Sequence, residues 1–141
     1  MSLLVDTGVF YAHHDEDSGR HDDAKAALTK VLEGRFGQPY VTDYIYDEAV
    51  TLALTRAGVE AAQSLGARLR GVGSYPQVYE VLRVSSAVFA DAVDIFEQYG
   101  DQELSFTDAT TVALRRRHDL DRILSFDDDF DALGGITRLE T

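Results

Sequence analysis

"LSFTDATTVALRRRHDLDRILSFDDDFD", residues 104 to 131, sets the architecture of the chain. Ser105-x-x-Asp108 matches a capping box, which starts a helix and contributes about 1 kcal/mol. The pattern predicts a helix from about Thr107 to His118, then a buried strand over Ile123-Leu124-Ser125-Phe126, then Asp127 at that strand's end. "DDDFDAL" reads as a loop or short helix, and "ITRLE" as a closing strand. A helix that returns the chain to a buried strand is the repeating step of a parallel sheet.

The same step recurs towards the N-terminus. Leu3-Leu4-Val5 is a continuous apolar run that fits a strand covered on both faces. It ends in Asp6-Thr7-Gly8, and apolar residues resume at Val9, Phe10 and Tyr11. Beyond a polar loop around Asp15 to Arg20, Ala24, Leu28, Val31 and Leu32 fall at helical spacing from His21 to Leu32, and Gly34 can stop the helix. Tyr40-Val41 reads as a second strand. Helices follow from Asp43 to about Arg56, ending before Gly58, and from Val59 to Arg70. "YEVLRV", Tyr79 to Val84, alternates apolar and polar residues as a strand near an edge does, and Ser85 or Ser86 caps a helix that finishes by Gly100. Strands alternating with helices predict an α/β fold: a three-layer α/β/α sandwich with a mainly parallel sheet of about five strands. The whole of residues 1–141 is expected to form one domain, since no repeat, low-complexity tract or linker interrupts it.

Composition narrows the chemistry. There is no cysteine, which removes disulfides, thiolate nucleophiles and cysteine-ligated zinc and suits a reducing compartment. No apolar stretch reaches 18 residues, and Met1-Ser2-Leu3 lacks the basic start of an export signal, so the expected location is the cytoplasm, away from membranes. Acidic residues number 25 against 13 basic ones, for a formal net charge of −12, and only Lys25 and Lys30 are lysines. Such a field repels polyanions unless a local basic patch, bound cations or high salt intervene. An Asp-rich, Lys-poor surface suits a high-salt cell, and a basic protein partner is the alternative explanation.

Asp-Thr-Gly after a strand is compatible with an aspartic protease, an aspartyl phosphotransferase or a metal-dependent nuclease. The protease requires an all-β setting, and the phosphotransferase requires an acid where Gly8 stands. In a parallel sheet, ligands bind outside the carboxyl ends of the strands. Asp6 and Asp127 belong there, and Asp108 joins them if its helix runs antiparallel to the strands. Glu48, in "YIYDEAVTL", sits about 100° round its helix from the polar row Asp47, Thr51 and Thr55, on the boundary of the apolar face. Singly, each acid has a structural role that suffices: Asp6 and Asp108 as helix-start residues, Asp127 in a solvated acidic run, Glu48 reaching water from a helix edge. Together, carboxylates at one edge repel one another and force protonation unless a divalent cation relieves them. Mg²⁺ and Mn²⁺ prefer oxygen ligands and serve phosphodiester cleavage.

On "LLVDTGVFYA", "VTDYIYDEAV", the stretch from Leu104 to Asp131 and the closing strand, nearly the whole chain resembles the PIN-domain nucleases, especially VapC-type toxin ribonucleases of toxin–antitoxin pairs. The resemblance implies that Asp6, Glu48, Asp108 and Asp127 are the catalytic and metal-binding acids of an Mg²⁺- or Mn²⁺-dependent endoribonuclease. It implies attack by water on RNA, leaving 5′-phosphate and 3′-hydroxyl ends. Thr7 and Thr107 would assist by hydrogen bonding to a carboxylate, a water or a phosphate. Asp131 would be a fifth acid, with Asp128 and Asp129 competing for the inward position. The resemblance also implies a homodimer and an antitoxin partner. The rival readings are an RNA-maturation nuclease without an antitoxin and a catalytically silent module that binds metal or a basic protein.

Other features have plainer expectations. Arg115-Arg116-Arg117 spread over about 200° of a helix, and pairing with Asp119 and Asp121 is favoured over phosphate contact. His13, His14, His21 and His118 show no chelating pair for zinc. Tyr11, Tyr40, Tyr44 and Tyr46 suit core packing or contact with another chain better than base stacking.

Overall fold

The structure, a computed structural model, describes residues 2–102, 104–118, 120–127 and 137–139. Five strands form one sheet: β1 (Ser2–Val5), β2 (Gln38–Thr42), β3 (Glu80–Leu82), β4 (Arg122–Leu124) and β5 (Thr137–Leu139). Their order is β3-β2-β1-β4-β5, and every neighbouring pair is parallel. Leu3, Leu4 and Val5 of the central strand have no solvent exposure, as a strand covered on both faces must. Each such side chain contributes roughly 1.5–3 kcal/mol by leaving water.

The helices are α1 (Thr7–His14), α2 (His21–Leu32), α3 (Asp43–Ala57), α4 (Val59–Arg70), α5 (Ser86–Gln98) and α6 (Phe106–Arg117). From β1 the chain steps to β2 and β3 on one side, then crosses back to β4 and β5 on the other. With right-handed crossovers this reversal places helices on both faces, giving the expected three layers. It also makes the gap between β1 and β4 the switch point, where a crevice opens at the carboxyl ends of the strands.

Local chemistry explains most boundaries. Thr42 caps α3 by accepting from the Ile45 amide at 3.0 Å, and the Ser85 hydroxyl caps α5 by accepting from the Val88 amide at 3.2 Å. Both oxygens of Asp43 accept from the Val84 amide at 3.2 Å, so that amide turns from the ladder and the edge strand is three residues instead of the six of Tyr79–Val84. Helix α1 fills the stretch after Asp6, where no amphipathic period was visible. The reason is that Val9, Phe10, Tyr11 and Ala12 are all buried, so no face alternates. Within the arginine triplet, Arg117 differs from expectation. Arg117 pairs with Asp91 of α5, Nη2 to Oδ2 at 2.8 Å, while Asp121 is approached by Arg122 at 3.9 Å; Asp119 lies outside the described residues. Helix α6 ends beside α5, so the nearest acid in space is remote in sequence. His13 and His21 stack at 6.3 Å, and Arg68 lies 3.0 Å from His13 Nδ1, which is packing. No helix among the described residues is long and apolar enough to cross a membrane.

Candidate active site

The register of β1 and β4 sets two residues level at the switch point. Val5 pairs with Leu124, and the Asp6 amide donates to the Leu124 carbonyl at 3.0 Å, so Asp6 and Ser125 leave the sheet side by side. The Ser125 hydroxyl donates to Asp6 Oδ2 at 2.7 Å and accepts from the Asp127 amide at 3.0 Å. One buried hydroxyl thus fixes the Asp6 carboxylate and the turn that carries Asp127. Asp6 precedes α1, but its side chain makes no capping bond there. The helix-cap explanation of this residue fails on geometry.

For Asp108 the structural role is real. The Ser105 hydroxyl accepts from the Asp108 amide at 3.0 Å, and Asp108 Oδ2 accepts from the Ser105 amide at 3.3 Å, completing the capping box. That bond holds the carboxylate at the first turn of α6. Asp6, Glu48, Asp108 and Asp127 then line one cleft of about 350 Å³, together with Gly8, Ser105, Ser125 and Phe126. Glu48, half-buried on α3, also lines an adjoining groove with Asp47, Thr51, Leu52, Thr55 and Thr107.

Electrostatics show the strain of this placement. Burial raises the pKa of Asp6 above the ordinary carboxylate value; the Ser125 hydroxyl and the Thr7 amide oppose that, and the charges of Glu48 and Asp127 add to it. Asp108 is pushed up to about 7, first by burial and next by the charge of Asp6, with Asp127 adding to the effect. Among the described residues, none that lines the cleft is basic. Among the described residues, no three acidic or imidazole side chains close into a ready-made cage for an ion. An open, all-oxygen set still fits Mg²⁺ and Mn²⁺. Mg²⁺ keeps several waters and is held by one or two carboxylates with substrate phosphate supplying the rest.

The supporting residues divide. Thr7 adjoins Asp6 and is buried, with its hydroxyl oxygen lacking a hydrogen-bond partner among the described residues. Thr107 lies in the adjoining groove rather than in the cleft of the acids, and its carbonyl accepts from the Thr110 hydroxyl at 2.6 Å. Asp131, with Asp128 and Asp129, lies outside the described residues. Two cleft residues escaped sequence reasoning. Ser125 was hidden inside an apolar run, where a lone serine at a strand's carboxyl end was the available signal. Phe126 was taken simply as strand core.

The PIN domain family description matches residues 3–136. This chain belongs to the PIN domain family. Among characterised relatives, the VapC ribonuclease of Archaeoglobus fulgidus is 26% identical over 131 residues, covering 92% of this chain and 80% of that protein. Ribonuclease VapC26 of Mycobacterium tuberculosis is 26% identical over 125 residues, covering 89% and 86%. The crystal structure of Mycobacterium tuberculosis VapC20, described as a Sarcin-Ricin loop cleaving toxin, superposes with a TM-score of 0.83 at 26% identity, covering 99% of each chain. The superposition over the whole chain agrees with the parallel α/β fold described above.

Proposed function

We propose that this PIN domain is a divalent-metal-dependent endoribonuclease acting in the cytoplasm as the toxin of a toxin–antitoxin pair. The observation that carries the reading is the cleft itself: four acids from four separate segments line it, and two of them are held with raised proton affinity. A structural cluster gains nothing from such repulsion, whereas a cation site requires it. The likeness to proteins named VapC ribonuclease supports RNA as substrate.

Asp6, Glu48, Asp108 and Asp127 would hold Mg²⁺ or Mn²⁺. When bound, such an ion lowers the pKa of a water for attack on phosphorus and stabilises charge on the leaving oxygen. The chain's own residues prepare for this. The Ser125 hydroxyl orients Asp6 and the capping box orients Asp108, so both carboxyl groups are held in place for a cation. Thr7, buried next to Asp6 with no hydrogen-bond partner for its hydroxyl among the described residues, would assist by hydrogen bonding to a carboxylate or a water. An antitoxin that presents a basic side chain to the cleft would neutralise the same acids, making inhibition electrostatic. A homodimer is part of the same proposal.

The test is cleavage of structured and unstructured RNAs in Mg²⁺, Mn²⁺ or EDTA, at low and multimolar salt, beside Asp6→Asn. The resemblance to a Sarcin-Ricin loop cleaving toxin makes that stem-loop the structured RNA to include. Cleavage is expected with metal only, leaving 5′-phosphate and 3′-hydroxyl ends. Cyclic 2′,3′-phosphates, or cleavage surviving both EDTA and the substitution, would overturn the mechanism. Metal binding without cleavage would favour the silent interaction module.

A further inference from the structure

A nuclease cleft whose lining, among the described residues, includes no basic side chain, on a chain of net charge −12, still has to hold a polyanion. Metal ions neutralise the phosphate being cut, but they leave the neighbouring phosphates facing an acidic surface. The cleft's Phe126 points to where the missing cation lies. The Arg20 guanidinium carbon sits 4.6 Å from the centroid of the Phe126 ring, within cation–π reach. Phe126 is flanked in sequence by Ser125 and Asp127, both of the cleft.

Arg20 is also out of place for a structural residue. It occupies the N-cap of α2, a position that favours Ser, Thr, Asp or Asn and disfavours positive charge. Its backbone is fixed nonetheless. The Arg20 amide donates to the Ser18 hydroxyl at 3.2 Å, and its carbonyl accepts from the Ala24 amide at 2.9 Å. The acids nearest in sequence, Asp22 and Asp23, do not take the guanidinium, which among the described residues makes no ion pair. An exposed arginine that breaks a local rule and bypasses adjacent carboxylates to lie on a cleft-wall aromatic is arranged for something arriving from outside. Arg138 reaches the Ser125 carbonyl at 3.5 Å, and so is engaged by the protein backbone.

We propose that Arg20, lying over the Phe126 ring at the rim of the acidic cleft, binds a phosphate of the RNA strand next to the one cleaved, with Phe126 as the residue that positions it. This rests on the endoribonuclease reading and adds to it the contact that draws RNA to an otherwise repelling surface. Stacking restricts the arginine before the substrate arrives, so less side-chain freedom is lost on binding, and the planar fork suits phosphate.

The experiment combines kinetics with binding of a fluorescein-labelled single-stranded oligoribonucleotide, the latter in the Asp6→Asn background with Mg²⁺ over a series of KCl concentrations. Arg20→Gln is expected to raise KM about tenfold with kcat within about twofold, and to make the slope of log affinity against log salt shallower by about 0.7, the share of one single-strand phosphate contact. Arg20→Lys should restore the slope but not the whole of KM, and Phe126→Leu should raise KM with the native slope kept. An unchanged slope and KM in Arg20→Gln, or a fall in kcat alone, overturns the proposal while leaving the nuclease standing. If native protein and Asp6→Asn cleave alike, the nuclease reading falls instead, and the binding slope still decides whether Arg20 meets a phosphate.

Discussion

Asp108 shows how a single residue can be a helix cap and a liability at once. Its carboxyl, pushed up to about 7, holds a proton in the folded chain between about pH 4 and pH 7 that the unfolded chain, with its ordinary value of 3.8, has lost. Stability in metal-free buffer is therefore greatest at the acid side of that window and declines as pH rises through it. Asp108→Asn keeps an oxygen acceptor for the Ser105 amide but never ionises. It is expected to be more stable than the native protein at pH 8, on the order of 2–4 kcal/mol, and nearly equal at pH 4. Urea unfolding at the two pH values measures the difference, and equal midpoints at pH 8 would mean the carboxylate is not strained. Ser125 acts in the opposite sense, since its hydroxyl is the strongest influence holding the Asp6 pKa down. Ser125→Ala should reduce RNA cleavage about tenfold at pH 7, with partial recovery at higher pH, whereas Ser125→Thr keeps a donor and most of the rate. A native pH–rate profile in the alanine variant would dismiss the hydroxyl as Asp6's support. Asp6 and Asp108 were legible in the sequence because an acid at a strand end or helix start is a local pattern. Ser125 was not, because its role comes from register between strands more than a hundred residues apart.

Elements were legible where only one face is buried. The spacing in α2 and the cap of α5 gave both helices their approximate extents, because in α2 Ala24, Ala27, Leu28 and Val31 face the core while Asp22, Asp23, Lys25, Thr29 and Lys30 are exposed. Helix α1 was concealed by burial on all sides, and β3 was cut short by a side chain, Asp43, from another element. Glycines at helix ends allow a quantitative contrast. Gly71 closes α4 with φ at +68°, and a Cβ there would lie 2.4 Å from the Gln77 Cα and 2.9 Å from its amide nitrogen. Gly34, after α2, has φ at +78° but open space around it. Gly71→Ala should cost about 2–4 kcal/mol, left-handed strain plus a clash with backbone that cannot rotate away. Gly34→Ala should cost only the strain, about 1 kcal/mol. Denaturant midpoints check the pair, and equal losses would show that the Gly71–Gln77 approach relaxes easily.

At the scale of the molecule the unresolved balance is between self-repulsion and surface pairing. Exposed acids recur along the surface, Glu16, Asp17, Asp22 and Asp23 on one side of the chain and Asp94 and Glu97 on α5, within a net charge of −12. Against them stand a few exposed ion pairs such as Arg117 with Asp91 and Arg35 with Glu33. Each such pair contributes about 0–1 kcal/mol and is itself weakened by salt. Repulsion among many like charges acts over a screening length of about 10 Å at 0.1 M salt, and about 3 Å at 1 M. Screening therefore removes more repulsion than attraction, and the melting temperature in KCl should rise by about 3–4 °C between 0.1 M and 2 M, the shift that roughly 1 kcal/mol produces in a domain of this size. KCl is the appropriate salt, because sulfate stabilises any folded chain by exclusion from its surface. A melting temperature that falls with KCl would show the pairs outweighing the repulsion, and the acidity would then need a basic protein partner to explain it.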